Sequence, residues 1–150
     1  MASQPSPRRR FQFRLRTLMI GVTLAAVVCG GTAFYRNRYW ARKHADELYA
    51  EWQAEKAVGS QDTRTNQFCF PRIVAGRNWC LAECAVPFSD HAAACRRYAD
   101  AMVIEIKMAK DLLLPSPYAE YLDRHKQEAE DWLAAGTATG EPEQLPYSTH

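Results

Sequence analysis

The first 35 residues contain no Asp or Glu, and positions 17–35 carry no charge of either sign. That gap excludes an ordinary surface helix, whose outer face must be polar to meet water. Between Tyr35 and Gly59 there is neither Gly nor Pro, so no turn is expected there. No stretch alternates apolar and polar residues convincingly with period two, which argues against strands. The chain also lacks a C-x2-C pair, and no nucleophile–base–oxyanion set stands out. Those absences exclude the common zinc-knuckle modules and leave no catalytic signature that names a reaction. No internal repeat is present.

What the chain does contain is placed asymmetrically. Residues 1–35 hold five Arg, a net charge of +5, whereas residues 36–150 hold 14 Lys and Arg against 17 Asp and Glu, a net charge of −3. A basic arm, an apolar run and a mildly acidic remainder suit membrane topology better than nucleic-acid binding. At 150 residues there is room for one domain of ordinary size.

The arm, residues 1–14, opens with small, polar and Pro-bearing residues and is expected to be disordered and cytoplasmic. Its Arg8, Arg9, Arg10 and Arg14, with Arg16 just beyond, are interleaved with Phe11 and Phe13. The uncharged run that follows, at ~1.5 Å per residue, matches the roughly 30 Å hydrocarbon core of a bilayer. A helix is required there, because lipid offers backbone N–H and C=O groups no partner. We therefore expect a transmembrane helix over residues 15–35. Tyr35, Tyr39 and Trp40 follow it and suit the headgroup layer, while the Arg side chains reach for anionic headgroups on the opposite side.

Orientation follows from basic residues on each flank. Five Arg precede the span, and Arg36, Arg38, Arg42 and Lys43 follow it. The positive-inside rule favours a cytoplasmic N-terminus, with the remainder outside the cytoplasm. A cleaved signal peptide has a similar layout, with Gly31 and Ala33 as small residues near a cut, but the apolar run is long for a signal and strongly basic residues follow it. Arg8-Arg9-x-Phe11 weakly matches a twin-arginine export signal. Cys29 weakly matches a lipoprotein acylation site, where Val28 departs from the usual small residue.

The string Phe13-Arg14-Leu15-Arg16-Thr17-Leu18 resembles the "FRLRTLL" opening of small membrane-anchored proteins of planctomycete bacteria, most of unknown function, in which it leads into a single spanning helix. Leu48 to Ala54, Trp79 to Glu83 and Tyr98 to Lys110 also resemble a helical family of such proteins. This chain has Ala54-Glu55-Lys56-Ala57 where that family has Ala-Gly-Arg-Val. The resemblance implies a bacterial envelope protein and no particular activity.

The expected fold is all-α: the N-terminal transmembrane helix, then a small antiparallel bundle or hairpin domain over residues 36–135. Its helices are expected at about 36–57, 71–85, 90–114 and 117–135. Ala41, Ala45, Leu48 and Trp52 recur at helical spacing in the first. Pro71 opens the second, within which Gly76 costs roughly 1 kcal/mol of propensity. Pro87 ends it, and Ser89 and Asp90 offer an N-cap to the third. The third helix has an apolar stripe of Ala94, Tyr98, Ala101, Met102, Ile106, Ala109 and Leu113. Ser116 and Pro117 start the fourth, with Tyr121, Leu122, His125, Ala129, Trp132 and Leu133 as its stripe. Gly136 ends it. The Gly-, Pro-, Thr- and Glu-rich tail, 136–150, is expected to be disordered.

Four Cys lie outside the span: Cys69, Cys80, Cys84 and Cys95. Cys80 and Cys84 sit one helical turn apart, as do His91 and Cys95, and a turn near Pro87 can bring both pairs together. Three readings stay open. Cys80, Cys84, His91 and Cys95 can supply four ligands to tetrahedral Zn²⁺. Cys80 and Cys95, which lie opposite each other across the turn, can form a disulfide in an oxidising compartment. Most plainly, the cysteines are small buried side chains that fill helix interfaces, with no metal and no cofactor. A His91–Cys95 nucleophile pair lacks an orienting group. His125 suits a core or boundary position, and His44 an exposed one. The acidic residues Glu120, Asp123, Glu128, Glu130 and Asp131 suit a solvated face.

The function expected from sequence is that of a non-enzymatic, membrane-anchored helical module, an interaction or structural element of the bacterial envelope. Its expected partners are the bilayer, a second copy of itself or another protein's helix, and not nucleic acid. The alternative is a Cys/His metal- or redox-active helical module.

Overall fold

The computed structural model describes residues 7–59, 69–111 and 116–144, with side chains placed over 15–57, 70–108 and 119–144. It is all-helical, with four helices: α1 (Pro7–Gly59), α2 (Cys69–Ala85), α3 (His91–Asp111) and α4 (Ser116–Ala135); no strand occurs among the described residues. The chain divides into two compact units, Met1–Tyr39 and Trp40–His150.

In the first unit, α1 already begins at Pro7, so most of the arm expected to be disordered is helical. Proline suits a first helical position, where its missing N–H has no partner to lose. The side chains of Arg8, Arg9, Arg10 and Arg14 lie outside the described residues.

The second unit is built from the end of α1 and from α2, α3 and α4. The α2–α3 connection follows the sequence signals closely. Pro87 lies just past the end of α2, Asp90 Oδ1 accepts the Ala93 N–H at 3.0 Å as an N-cap, and Ser89 Oγ donates to Glu83 O at 2.6 Å. Phe88, an exposed residue, takes a left-handed φ of 62° to make the reversal. Arg72 pairs with Glu105 at one end of the α2–α3 hairpin, and Cys84 faces Cys95 at the other, so the two helices run antiparallel.

The core joins Trp52 of α1, Ile73, Ala75, Trp79 and Cys80 of α2, Ala94, Cys95, Tyr98 and Met102 of α3, and Leu122, Ala129 and Trp132 of α4. Trp52 stacks on Trp79 with centroids 5.0 Å apart and planes at 21°. Gly76 makes that stack possible: a Cβ there would lie 2.8 Å from the Trp52 indole. The residue that weakens α2 by propensity is thus the one that lets a tryptophan lie against its backbone. The expected stripes hold on α3 for Ala94, Tyr98 and Met102, with Ala101 and Ile106 at the margin, while the side chains of Ala109 and Leu113 lie outside the described residues. On α4, Leu133 is a correction: it is exposed, because the helix turns its Ala129–Trp132 face inward.

The tail requires a larger correction. Gly136 ends α4 with a left-handed φ of 70°, as expected, but residues 137–144 are ordered against the domain. Asn78 Nδ2 donates to Glu143 O and Asn78 Oδ1 accepts the Glu143 N–H, both at 2.9 Å, and Arg77 donates to Glu141 O at 2.7 Å. A segment too polar to form a core of its own is held by its backbone groups.

Candidate membrane anchor and thiol centre

Among the described residues one helix, α1, is long and apolar enough to cross a membrane, and none of its apolar window is buried by protein. Leu18, Met19, Ile20, Val22, Leu24, Val27 and Val28, which cover every face of the helix, are each about 60% exposed. Its hydroxyls are satisfied internally: Thr23 Oγ1 donates to Met19 O at 2.9 Å and Thr32 Oγ1 to Cys29 O at 3.0 Å. Returning the hydroxyl proton to the preceding turn pairs that donor without needing a partner outside the helix. Arg16 and Tyr35 flank the run with exposed side chains; Tyr39 closes the first unit, and Trp40, equally exposed, opens the second.

In the second unit, the i,i+4 spacing on α2 places Cys80 and Cys84 on one face, and the hairpin brings Cys95 of α3 across from them. Their three sulfur atoms all lie within 4.8 Å of one another, with Cys84 and Cys95 Sγ 4.0 Å apart. Cys80 and Cys95 are fully buried and Cys84 half-buried. The Ala138 N–H, from the segment after α4, donates to Cys84 Sγ at 3.3 Å. The thiol of Cys80 hydrogen-bonds Cys84 and, against the cost of burial, draws its pKa down to about 6; the Ala138 amide, the Cys95 thiol and His91 act in the same direction. Burial and the neighbouring Cys84 charge push Cys95 up to about 11, and the bond to Cys84 together with burial raises Cys80 as well. The trio therefore concentrates negative charge on one sulfur and keeps protons on the other two.

Two details bear on the alternatives for the cysteines. Cys29, Cys80, Cys84 and Cys95 stand as free thiols. The Cys84 and Cys95 sulfurs are 4.0 Å apart, well beyond the ~2.05 Å of an S–S bond. His91 does not join the sulfurs as a ligand, because its place at the start of α3 sets its Nε2 3.3 Å from Val86 O. The Cys69 side chain lies outside the described residues.

A second polar cluster escaped the sequence reading. His125, 2% exposed on α4, has Nδ1 3.4 Å from Glu128 Oε2 and from Tyr98 Oη, and Nε2 3.4 Å from Glu143 Oε2. Arg77 of α2 clamps Glu128 through Nε at 2.9 Å and a terminal nitrogen at 2.8 Å. Burial alone would raise the Glu128 pKa, but the bonds from His125 and Arg77 outweigh it and hold the carboxyl at about 2. Glu128 is thus not part of a solvated acidic face, whereas Glu120, Asp123, Glu130 and Asp131 are exposed as expected. His44 is exposed too. The only sequence hint of this cluster was a His on an apolar stripe three residues before a Glu.

The architecture defines an all-α chain with one membrane-length apolar helix and a helical unit that holds three convergent thiols. No family model, curated protein or solved structure matches the chain.

Proposed function

We propose that this chain is a single-pass membrane protein of a bacterial envelope, with its basic arm in the cytoplasm, and that its helical unit acts outside the cytoplasm as an interaction or structural module. The reading rests on one observation: a charge-free run whose apolar side chains are exposed on every face of α1. Burying that surface in lipid is worth about 25 cal/mol per Å², whereas leaving it in water forfeits the same amount. The Arg-rich arm on one flank supports the orientation, and the FRLRTL-like opening supports the envelope setting. The partner is a second copy of the chain or another protein's helix; crosslinking in native membranes tests this, and a strictly monomeric, partnerless chain counts against it. Reporter fusions after residues 12 and 135 test the topology. Cytoplasmic activity of the first and exported activity of the second is expected; the reverse pattern refutes the orientation.

The convergence of Cys80, Cys84 and Cys95 favours a second reading of the helical unit, as a thiol-based metal or redox centre carried by the anchor.

A further inference from the structure

Resting on that second reading, we propose that Cys80, Cys84 and Cys95 bind a thiophilic d¹⁰ metal ion, Zn²⁺ or Cu⁺, through their three sulfur atoms. The geometry separates this from oxidation. A tetrahedral metal with ~2.3 Å metal–sulfur bonds needs sulfurs about 3.8 Å apart. Cys84 and Cys95 already stand at 4.0 Å and no pair exceeds 4.8 Å, so small side-chain rotations complete the site. A disulfide demands ~2.05 Å, a closure of about 2 Å between the same two atoms, and leaves the third thiol without a role. Thiolate sets select Zn²⁺ and Cu⁺ over harder cations such as Mg²⁺ and Ca²⁺.

The surroundings suit a bound ion. Two ligands are fully buried on facing helices, which fixes their positions, and half-buried Cys84 provides the route of entry. The Ala138 N–H that points at Cys84 Sγ is the kind of outer hydrogen bond that orients and tunes a thiolate ligand. It also ties the segment after α4 to the metal. On binding, three metal–sulfur bonds form, each remaining S–H bond breaks, and its proton passes to solvent. Three sulfurs leave a tetrahedral Zn²⁺ one open position for water, whereas Cu⁺ needs no fourth ligand. Cys69 begins α2 eleven residues before Cys80, roughly 16 Å away along the helix, and so cannot reach the ion.

The full-length protein, purified in detergent under reducing, metal-free conditions, decides the matter. Co²⁺ serves as the spectroscopic probe for Zn²⁺, and Cu⁺ is titrated against a chromogenic chelator; native mass spectrometry gives the stoichiometry. One ion per chain and a sulfur-to-cobalt charge-transfer band are expected. Cys84→Ser and Cys95→Ser should each weaken binding by at least about tenfold, whereas Cys29→Ser and Cys69→Ser leave it unchanged. Because Cys84 is half-buried, Cys84→Ser keeps the test valid if Cys95→Ser unfolds, with circular dichroism as the check. Whichever of Zn²⁺ and Cu⁺ survives the stronger competitor identifies the ion. A chain that binds neither but is isolated without reductant lighter by two hydrogens overturns the metal site and leaves the redox reading standing. Three free thiols that take up no metal overturn both.

Discussion

The run from Thr17 to Tyr35 and the unit that begins at Trp40 are both helical, yet they treat polar and apolar groups in opposite ways. In the run, leucines and valines face outward in every direction, and hydroxyls bond back to their own helix. In the unit, apolar groups form one stripe per helix, and polar groups reach across to other elements, as Arg77 does to Glu128 and Asn78 to Glu143. Helix formation alone therefore says little about environment. The destination of the side chains, outward on every face or inward to a neighbouring helix, carries that information.

Substitutions can break this contrast. The largest effect is expected from Trp52→Ala, which empties the stack on Trp79 and should cost the helical unit about 3–5 kcal/mol. Leu24→Ala, in the run, should leave the melting of that unit unchanged; thermal denaturation of both variants in detergent measures the difference. Next in size, Leu24→Arg at the middle of the run should oppose membrane insertion by about 2.5–3.5 kcal/mol. Ile104→Arg, at an exposed position on α3, should stay within about 0.5 kcal/mol of the parent. Membrane fractionation of the two arginine variants compares them. Gly76→Ala should destabilise by about 1–3 kcal/mol through overpacking against the Trp52 indole. Gly21→Ala, with open space around it, should be silent in the same melt.

The remaining effects concern protons. The folded pKa of Glu128, about 2, lies below its ordinary 4.5, so its stabilising contribution is complete above pH 4.5 and is lost as pH falls towards 2. Glu128→Gln should flatten that part of an acid titration of stability. In the metal-free chain, Cys84 should alkylate with iodoacetamide at neutral pH well ahead of Cys80 and Cys95, with a half-maximal rate near pH 6. Equal labelling of the three would contradict the charge assignment within the trio.

Much of the fold was legible because its signals are local. Pro87, Asp90, Ser116 with Pro117, and Gly136 each mark a helix end through the chemistry of a residue or two. The i,i+4 spacing of Cys80 and Cys84 and the tight reversal before α3 were enough to bring Cys95 towards them. What stayed hidden depends on distant pairs. Arg77 and Glu128 are 51 residues apart, and Asn78 and Glu143 are 65 apart, so neither pair leaves a periodic trace. The tail has the composition of a disordered segment, while its docking uses backbone groups that composition does not report. His91 shows the same limit: its i,i+4 spacing to Cys95 allows a four-ligand set, but its ring turns back to Val86 O.

The central claim, that lipid surrounds the uncharged run, is tested most directly by alkaline carbonate extraction of membranes from cells expressing the intact chain. Retention in the pellet of a full-length polypeptide that still begins with its arginine arm is the expected result. Release into the supernatant, or a mature chain beginning beyond Ala33, would contradict it.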